Sequence, residues 1–276
     1  VKTLSLETEK AFNKLKGYLS DLESAAVAYS GGVDSTLLLY TASIIPGLKL
    51  RAYTVKNVMI PEDEIDAAVK TGKQFGVAHQ LIDVDILSFD NVASNTPERC
   101  YYCKTVILEK IINAASDHGI ASILEGTHSG DINDYRPGLK AIHELGVISP
   151  LRDAGFDKNK IYELSAFLNL PTSGKESYPC LATRIPYGTP ITSGHLKKAE
   201  LAEKIIASFG FSKIRARIHG DILRIEIDEK MIPEITAEPV RKKVYSALQD
   251  AGFTYITLDL RGYRAGSMNL ILEGQK

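Results

Sequence analysis

The chain has 276 residues, long enough for two domains and a substantial core, and its 33 Lys and Arg against 34 Asp and Glu leave a formal net charge of −1. That balance advertises no global basic field for nucleic acid, although a short local RNA contact stays open, and no apolar run approaches a membrane-spanning length. The first residues lack a charged-then-apolar signal pattern, and three cysteines, an odd number, suit a reducing compartment, so a cytoplasmic protein with no membrane partner is expected.

Apolar residues at helical spacing (Leu4, Leu6, Phe12, Leu15, Leu19) predict an amphipathic helix over 4–18. The apolar stretch Ala25 to Tyr29 predicts a strand at about 24–29. It stops at Ser30-Gly31-Gly32, and Asp34-Ser35-Thr36 then opens a helix to about 43. A second strand is predicted at 50–55, a helix opened by Pro61-Glu62-Asp63-Glu64 runs to Phe75, and a third strand covers 80–84. A helix over 103–116 and a strand over 122–126 follow. Strands alternating with helices imply a parallel sheet with helices on both faces, whose ligands sit outside the carboxyl ends of the strands. The glycine loop, Glu125-Gly126-Thr127 and the loop after the second strand all lie at that edge. Beyond a helix at 158–168, the Pro-, Gly- and Ser-rich stretch 171–194 is too polar and interrupted for core and reads as active-site loop and linker. A helix at 195–208, strands at 213–218 and 221–227, a helix at 238–250 and a strand at 253–259 then make a smaller α+β unit. The expected division is a nucleotide domain over 1–175, a loop and linker over 176–194, and a second domain over 195–276.

The paired glycines of SGGVDS let backbone N–H groups turn toward one point, and the following helix adds the positive end of its dipole. Ser30, Gly31, Gly32 and Ser35 would hold phosphate oxygens. There is no G-x-x-x-x-G-K-[ST], so this is not a Walker A loop. The hexapeptide instead resembles the pyrophosphate loop (PP-loop) of ATP pyrophosphatases, which split ATP between its α and β phosphates; an ordinary strand–helix turn is the plainer alternative. Asp34 fits either Mg²⁺, directly or through water, or a helix cap. Gly126, Thr127 and Asp131 form a second polar cluster at the same edge, where Asp131 would reach the metal on the phosphates or simply belong to a turn.

Cys100 and Cys103, at i and i+3 where a helix begins, share one face on which the dipole favours thiolates; the third thiol is Cys180. Cys-x-x-Cys alone is ambiguous among zinc, a redox pair and an iron–sulfur ligand, or two core cysteines. A structural zinc takes four protein ligands, whereas three cysteines on a cubane leave one iron open for a ligand such as sulfide. The cluster is the favoured reading, with a zinc site completed by histidine as the alternative. Arg215 and Arg217 are two apart and share a strand face; with Arg184, Arg261 and Arg264 they offer a pocket for a doubly anionic substrate, against the plainer reading of a solvated, salt-bridged surface. Glu203 and Glu226 would pair with these arginines or bind a metal.

SGGVDS at 30–35, EGTHSGDINDYRPG at 125–138, SPLRD at 149–153 and SYPCLATRIPYG at 177–188 fall in the order and spacing of the LarE family. RARIHGDILRIEI at 215–227 and LDLRGYRAGSMN at 258–269 resemble that family's second domain. The resemblance implies an α/β, adenine-nucleotide alpha-hydrolase-like (PP-loop ATP pyrophosphatase) domain followed by a smaller α+β domain. It implies ATP-dependent sulfur insertion in nickel-pincer nucleotide cofactor biosynthesis. ATP adenylates a carboxylate of pyridinium-3,5-biscarboxylic acid mononucleotide, and sulfur then replaces the adenylate to give a thiocarboxylate. One kind of member sacrifices the sulfur of a single cysteine matching Cys180; the other holds a [4Fe–4S] cluster on three cysteines. With Cys100 and Cys103 beside Cys180, this chain resembles the second kind. The implied cofactors are ATP, Mg²⁺ and that cluster, the catalytic residues Cys180, Asp34 and Ser35, and the assembly a homo-oligomer, hexameric in the family. The sulfur donor is not identified. Three rivals stand beside this reading: a cluster-dependent tRNA thiolation enzyme, an ATP-dependent amide ligase with structural zinc, and a nucleotide sensor with a dead loop. The near-neutral charge and the lack of a basic segment count against the first, and the complete SGGVDS against the last.

Overall fold

The computed structural model describes residues 3–133, 137–175 and 178–269. Its first helix, α1 (Leu6–Ser20), begins where the Ser5 side chain accepts the Thr8 amide, satisfying one of the N–H groups a helix start leaves over. It buries Ala11, Leu15 and Leu19 and leaves Leu6 exposed. Then come β1 (Ser24–Ala28), α2 (Val33–Ser43), β2 (Lys49–Lys56), α3 (Glu62–Gln74) and β3 (Ala78–Asp83). A short α4 (Asp90–Ala93) and the long α5 (Arg99–Ser116) lead to β4 (Ile123–Leu124), followed by α6 (Gly138–Glu144), α7 (Pro150–Asp153) and α8 (Lys158–Phe167). The four strands pair in parallel in the order β3-β2-β1-β4. β4 is shorter than the strand predicted over 122–126, and a single parallel bridge passes from Leu124 to Ile148.

Two compact units divide the chain: Val1–Ile86 with Cys100–Tyr178, and Leu87–Arg99 with Pro179–Lys276. The core of the first joins Leu15 and Leu19 of α1, Ala25 and Val27 of β1, Leu37 to Leu39 of α2 and Leu164 of α8. The buried centre of β1 reflects a parallel strand covered on both faces.

In the second unit, α9 (Ser193–Ser208) is capped by Thr192 and precedes β5 (Arg215–His219) and β6 (Ile222–Glu226), with α10 (Ile232–Thr236), α11 (Val240–Asp250) and β7 (Tyr255–Leu258) completing it. β5 and β6 run antiparallel, β6 and β7 parallel. Ala216, Ile218, Leu223 and Ile225 are buried, and so are Leu196, Ala199 and Ala202 of α9. Alternation along the strands puts Arg215, Arg217 and His219 on the opposite face. The stretch 171–194 departs from its reading as pure loop. Leu181, Ala182, Ile185 and Ile191 in it are buried, around a 3₁₀ turn at Leu181–Arg184. Leu181, Ala182 and Ile185 are spaced as on a helix, but Pro179 and Pro186 cut the run to about one turn and Ile191 falls out of phase, so no sustained pattern announces them. Among the described residues, no helix is long and apolar enough to cross a membrane.

Candidate active site

β1 ends at the glycine loop, and the loop's shape is imposed by its neighbours. Gly31 has φ +72°, and a Cβ there would lie 2.7 Å from the Ala68 Cβ of α3. Gly32 is the N-cap of α2 and receives the Ser35 hydroxyl (3.2 Å) and the Thr36 amide (2.9 Å) on its carbonyl. The Ser30 and Ser35 hydroxyls lie 3.1 Å apart. Gly126 closes the other side, where a Cβ would come within 3.0 Å of the Ser35 amide nitrogen. Ser30, Gly31, Gly32, Asp34, Ser35 and Gly126 therefore come together at the carboxyl edge of the sheet. Gly31→Ala combines a left-handed backbone with a contact no Cβ tolerates. It is expected to lower stability by about 1–2 kcal/mol from the backbone alone, and to displace the loop; a thermal midpoint and a Kd for ATP check both.

Two lysines that no sequence pattern marks reach this loop. Lys158, at the first position of α8, donates to both carboxylate oxygens of Asp34 at 2.7 and 2.9 Å. Lys175 donates to Glu64 at 2.6 Å and to the Gly31 carbonyl at 3.3 Å. Asp34 thus has a cationic partner, which neither the metal nor the cap reading anticipates. Nearby, Glu125 is buried and gathers the Thr127 amide (3.0 Å), the Thr127 hydroxyl (2.8 Å) and the Ser149 hydroxyl (2.6 Å), with the Lys104 amine at 3.6 Å. The Thr127 hydroxyl is turned onto Glu125. Asp131 is also buried, accepts the His128 amide at 3.1 Å, and lies 3.5 Å from the His128 imidazole. Asp134, Tyr135, Arg136 and Ser177, which complete two of the sequence motifs, lie outside the described residues.

Cys100 and Cys103 occupy the first turn of α5 in the first unit; Cys180 belongs to the second. All three are half-buried and none forms a disulfide. Among the described residues, no group of three or more His, Cys, Asp or Glu side chains is placed to hold a metal ion.

Cys180 is the N-cap of the 3₁₀ turn, and its flanking backbone is gripped from inside the second unit. Arg184, 0% exposed, holds Glu203 through Nε and Nη2 at 2.7 and 2.9 Å. Its Nη1 is shared by the carbonyls of Pro179 (2.9 Å) and Cys180 (3.3 Å) and the Thr183 hydroxyl (2.8 Å). Arg217 donates to the Thr183 carbonyl at 2.7 Å and to Glu226 at 2.8 Å. From the segment before α5, Asn95 donates to the carbonyls of Ile185, Pro186 and Thr189. Asn95 takes a left-handed φ of 58°, which asparagine tolerates better than most residues. Arg99 bonds Asn95 and reaches the Ala182 carbonyl at 3.3 Å. Both glutamates thus pair with arginines; Arg184, Arg215 and Arg217 are buried, while Arg264 is half-buried and Arg261 exposed.

The sheet face of β5 and β6 is cationic. Arg224 shares Glu226 with Arg217 and sits opposite it in register. Arg215 lies over the Tyr263 ring at 4.7 Å, and burial, then the nearby Arg184, lower its pKa. Burial, then Arg224 and Arg217, also lower that of His219. Arg217 Nε, Arg224 Nε and His219 Nε2 are buried with no hydrogen-bond partner among the described residues, as is Arg264 Nε.

No family model matches the chain. It is 37% identical over 266 residues, 96% of its length and 95% of the relative's, to pyridinium-3,5-bisthiocarboxylic acid mononucleotide synthase of Lactiplantibacillus plantarum. An uncharacterized protein of Synechocystis sp. is 32% identical over 264 residues, 96% of this chain and 98% of that one. The glutamine-hydrolyzing GMP synthase of Aeropyrum pernix is 26% identical over 200 residues, 66% of this chain and 39% of its own. The parallel sheet, its glycine loop and this last likeness give the first unit the adenine-nucleotide alpha-hydrolase-like fold that the sequence predicts.

Proposed function

The chain belongs to the family of pyridinium-3,5-bisthiocarboxylic acid mononucleotide synthases, and from that premise we propose that it is an ATP-dependent sulfurtransferase acting on pyridinium-3,5-biscarboxylic acid mononucleotide. The observation that carries the reading is likeness over nearly the whole length to a synthase of that name, in a chain with a formed glycine loop and a cysteine at 180.

A carboxylate is a poor electrophile until its oxygen becomes a good leaving group. Here a carboxylate oxygen attacks the α-phosphorus of ATP, the bond to pyrophosphate breaks, and an acyl-adenylate forms. The N–H groups of the glycine loop, the start of α2 and the amines of Lys158 and Lys175 stabilise the charge on the departing pyrophosphate. A sulfur nucleophile then gives an electron pair to the acyl carbon while the C–O bond breaks and AMP leaves. The second carboxylate follows the same course.

Asp34 and Asp131 are the carboxylates that would hold Mg²⁺, which when bound neutralises phosphate charge; Asp34 would have to give up Lys158 to do so. By the family resemblance, Cys100, Cys103 and Cys180 would hold a [4Fe–4S] cluster, whose three-thiolate ligation when bound leaves one iron open for sulfide. Arg215 and Arg217, joined by Arg224 and His219, receive the phosphate of the mononucleotide, and the orphaned N–H groups on that face support this. Assembly as a homo-oligomer, hexameric by resemblance, and a cytoplasmic location belong to the same reading.

With ATP and the biscarboxylate mononucleotide, AMP, pyrophosphate and thiocarboxylate are expected together. Pyrophosphate release with tRNA or ammonia, and none with the mononucleotide, overturns the proposal. Asp34→Ala is expected to slow pyrophosphate release by about 10²-fold. The Asp34–Lys158 pair is roughly one-third exposed, so its loss moves stability little, by about 0–1 kcal/mol. Unchanged release would remove Asp34 from the mechanism.

A further inference from the structure

We propose that Arg184 is a positioning residue for Cys180: its buried guanidinium, anchored on Glu203, fixes the turn that presents the thiol. This rests on the sulfurtransferase reading above, and replaces substrate binding as the role of Arg184.

Cys180 lies in irregular backbone, at the cap of a four-residue 3₁₀ turn, with no sheet ladder or long helix to fix it. The fixing comes from side chains. The carbonyls of Pro179 and Cys180 both accept from Arg184 Nη1, and the Thr183 hydroxyl, itself bonded to the Cys180 carbonyl at 3.0 Å, accepts from the same nitrogen. Two further nitrogens of the fork are taken by Glu203, whose Oε1 also accepts the Ala216 amide of β5 at 2.9 Å. A rigid path therefore runs from β5 through Glu203 and Arg184 to the backbone on either side of the Cys180 Cα.

The ion pair is hard to explain by stability alone. A buried pair costs desolvation that its attraction scarcely repays, and apolar residues of the same volume usually serve the fold as well. What apolar residues cannot do is hold carbonyls in a set direction. Lysine cannot do it either, because only the planar fork grips a carboxylate edge-on while presenting another nitrogen to the turn. Direction matters here because Cys180 would be one of the three ligands that set where the delivered sulfide meets the acyl-adenylate, in competition with water. Attack requires approach to roughly 3–3.5 Å on the right line, and a misplacement of about 1 Å costs on the order of 10²-fold.

The test is a double variant, Arg184→Met with Glu203→Leu, which removes both charges together and so avoids an unpaired buried ion. Two quantities are read: thiocarboxylate formed per AMP released, and the rate at which iodoacetamide alkylates Cys180 relative to Cys100 and Cys103, by peptide mass spectrometry. The expected result is a fall of about 10²-fold in thiocarboxylate per AMP, with water taking the acyl group, and a changed alkylation rate confined to Cys180. Arg184→Lys, which keeps the charge, is expected to behave like the double variant; if the double variant does not fold, Arg184→Lys carries the test alone. A folded variant with wild-type thiocarboxylate per AMP and wild-type Cys180 alkylation overturns the proposal. Should the wild type form no thiocarboxylate, the sulfurtransferase reading falls, and the alkylation ratio still decides whether Arg184 positions Cys180.

Discussion

Cys180→Ala is expected to abolish thiocarboxylate formation while ATP binding persists. The sulfur is the only part of this side chain with a role in the proposed chemistry. The cysteine caps its turn through the backbone, with φ −54° and ψ 147°, and makes no side-chain capping bond, so alanine fits the same geometry. The grip of Arg184 is on carbonyls, which the substitution leaves in place. The glycine loop lies in the other unit and is built from Gly31, Gly32 and the start of α2. Loss of product with retained ATP affinity therefore separates sulfur delivery from nucleotide binding. Mass spectrometry of the mononucleotide and equilibrium binding of ATP are the measurements. Thiocarboxylate at the wild-type rate would take Cys180 out of the sulfur path.

Glu226→Ala is expected to be among the most destabilising single substitutions in the second unit. Glu226 is 0% exposed and accepts from Arg217 at 2.8 Å, from Arg224 at 3.0 Å and from the Ser267 hydroxyl at 3.0 Å. Its removal leaves Arg217, only 5% exposed, without a carboxylate partner, while Arg224, about one-third exposed, keeps Asp259 at 3.4 Å. Breaking one buried pair typically costs roughly 3–5 kcal/mol, because the surviving charge is left uncompensated. Glu238, which pairs with Arg241 and Lys242 at the surface, is the contrast; Glu238→Ala is expected to leave the midpoint in place. Thermal unfolding of the two variants side by side tests the difference. Equal midpoints would mean that the Arg217–Glu226–Arg224 cluster does not hold this unit together.

The elements are legible in the sequence where burial is periodic. The helix predicted at 158–168 is α8, Lys158–Phe167, the strand predicted at 221–227 contains β6, and that at 213–218 overlaps β5, which runs one residue further, to His219. The glycine loop is legible because its shape demands glycine at Gly31, and because hydroxyls and a helix start follow at once. Lys158 and Lys175 are not, since nothing marks one lysine from another, and their partners lie 124 and 144 residues away. Arg184 stands out as an arginine near Cys180, but sequence cannot say that its donors turn inward. Its partner Glu203 sits on another element, and the 3₁₀ turn has no period to betray burial. Asn95 and Arg99 escape notice for the same reason: they support the turn from a segment some ninety residues earlier in the chain.

Three cysteines, on this account, carry the sulfur that cleavage of ATP to AMP drives onto a carboxylate. The most direct test measures iron, zinc and acid-labile sulfide per chain after anaerobic reconstitution, on the wild type and on the Cys100→Ala/Cys103→Ala/Cys180→Ala variant. About four irons per chain with matching sulfide, lost in the variant, is the expected result. Zinc without iron would contradict it, making the cysteines structural and moving the chain toward an amide ligase. Neither metal would contradict it too, leaving Cys180 as a sulfur source used once.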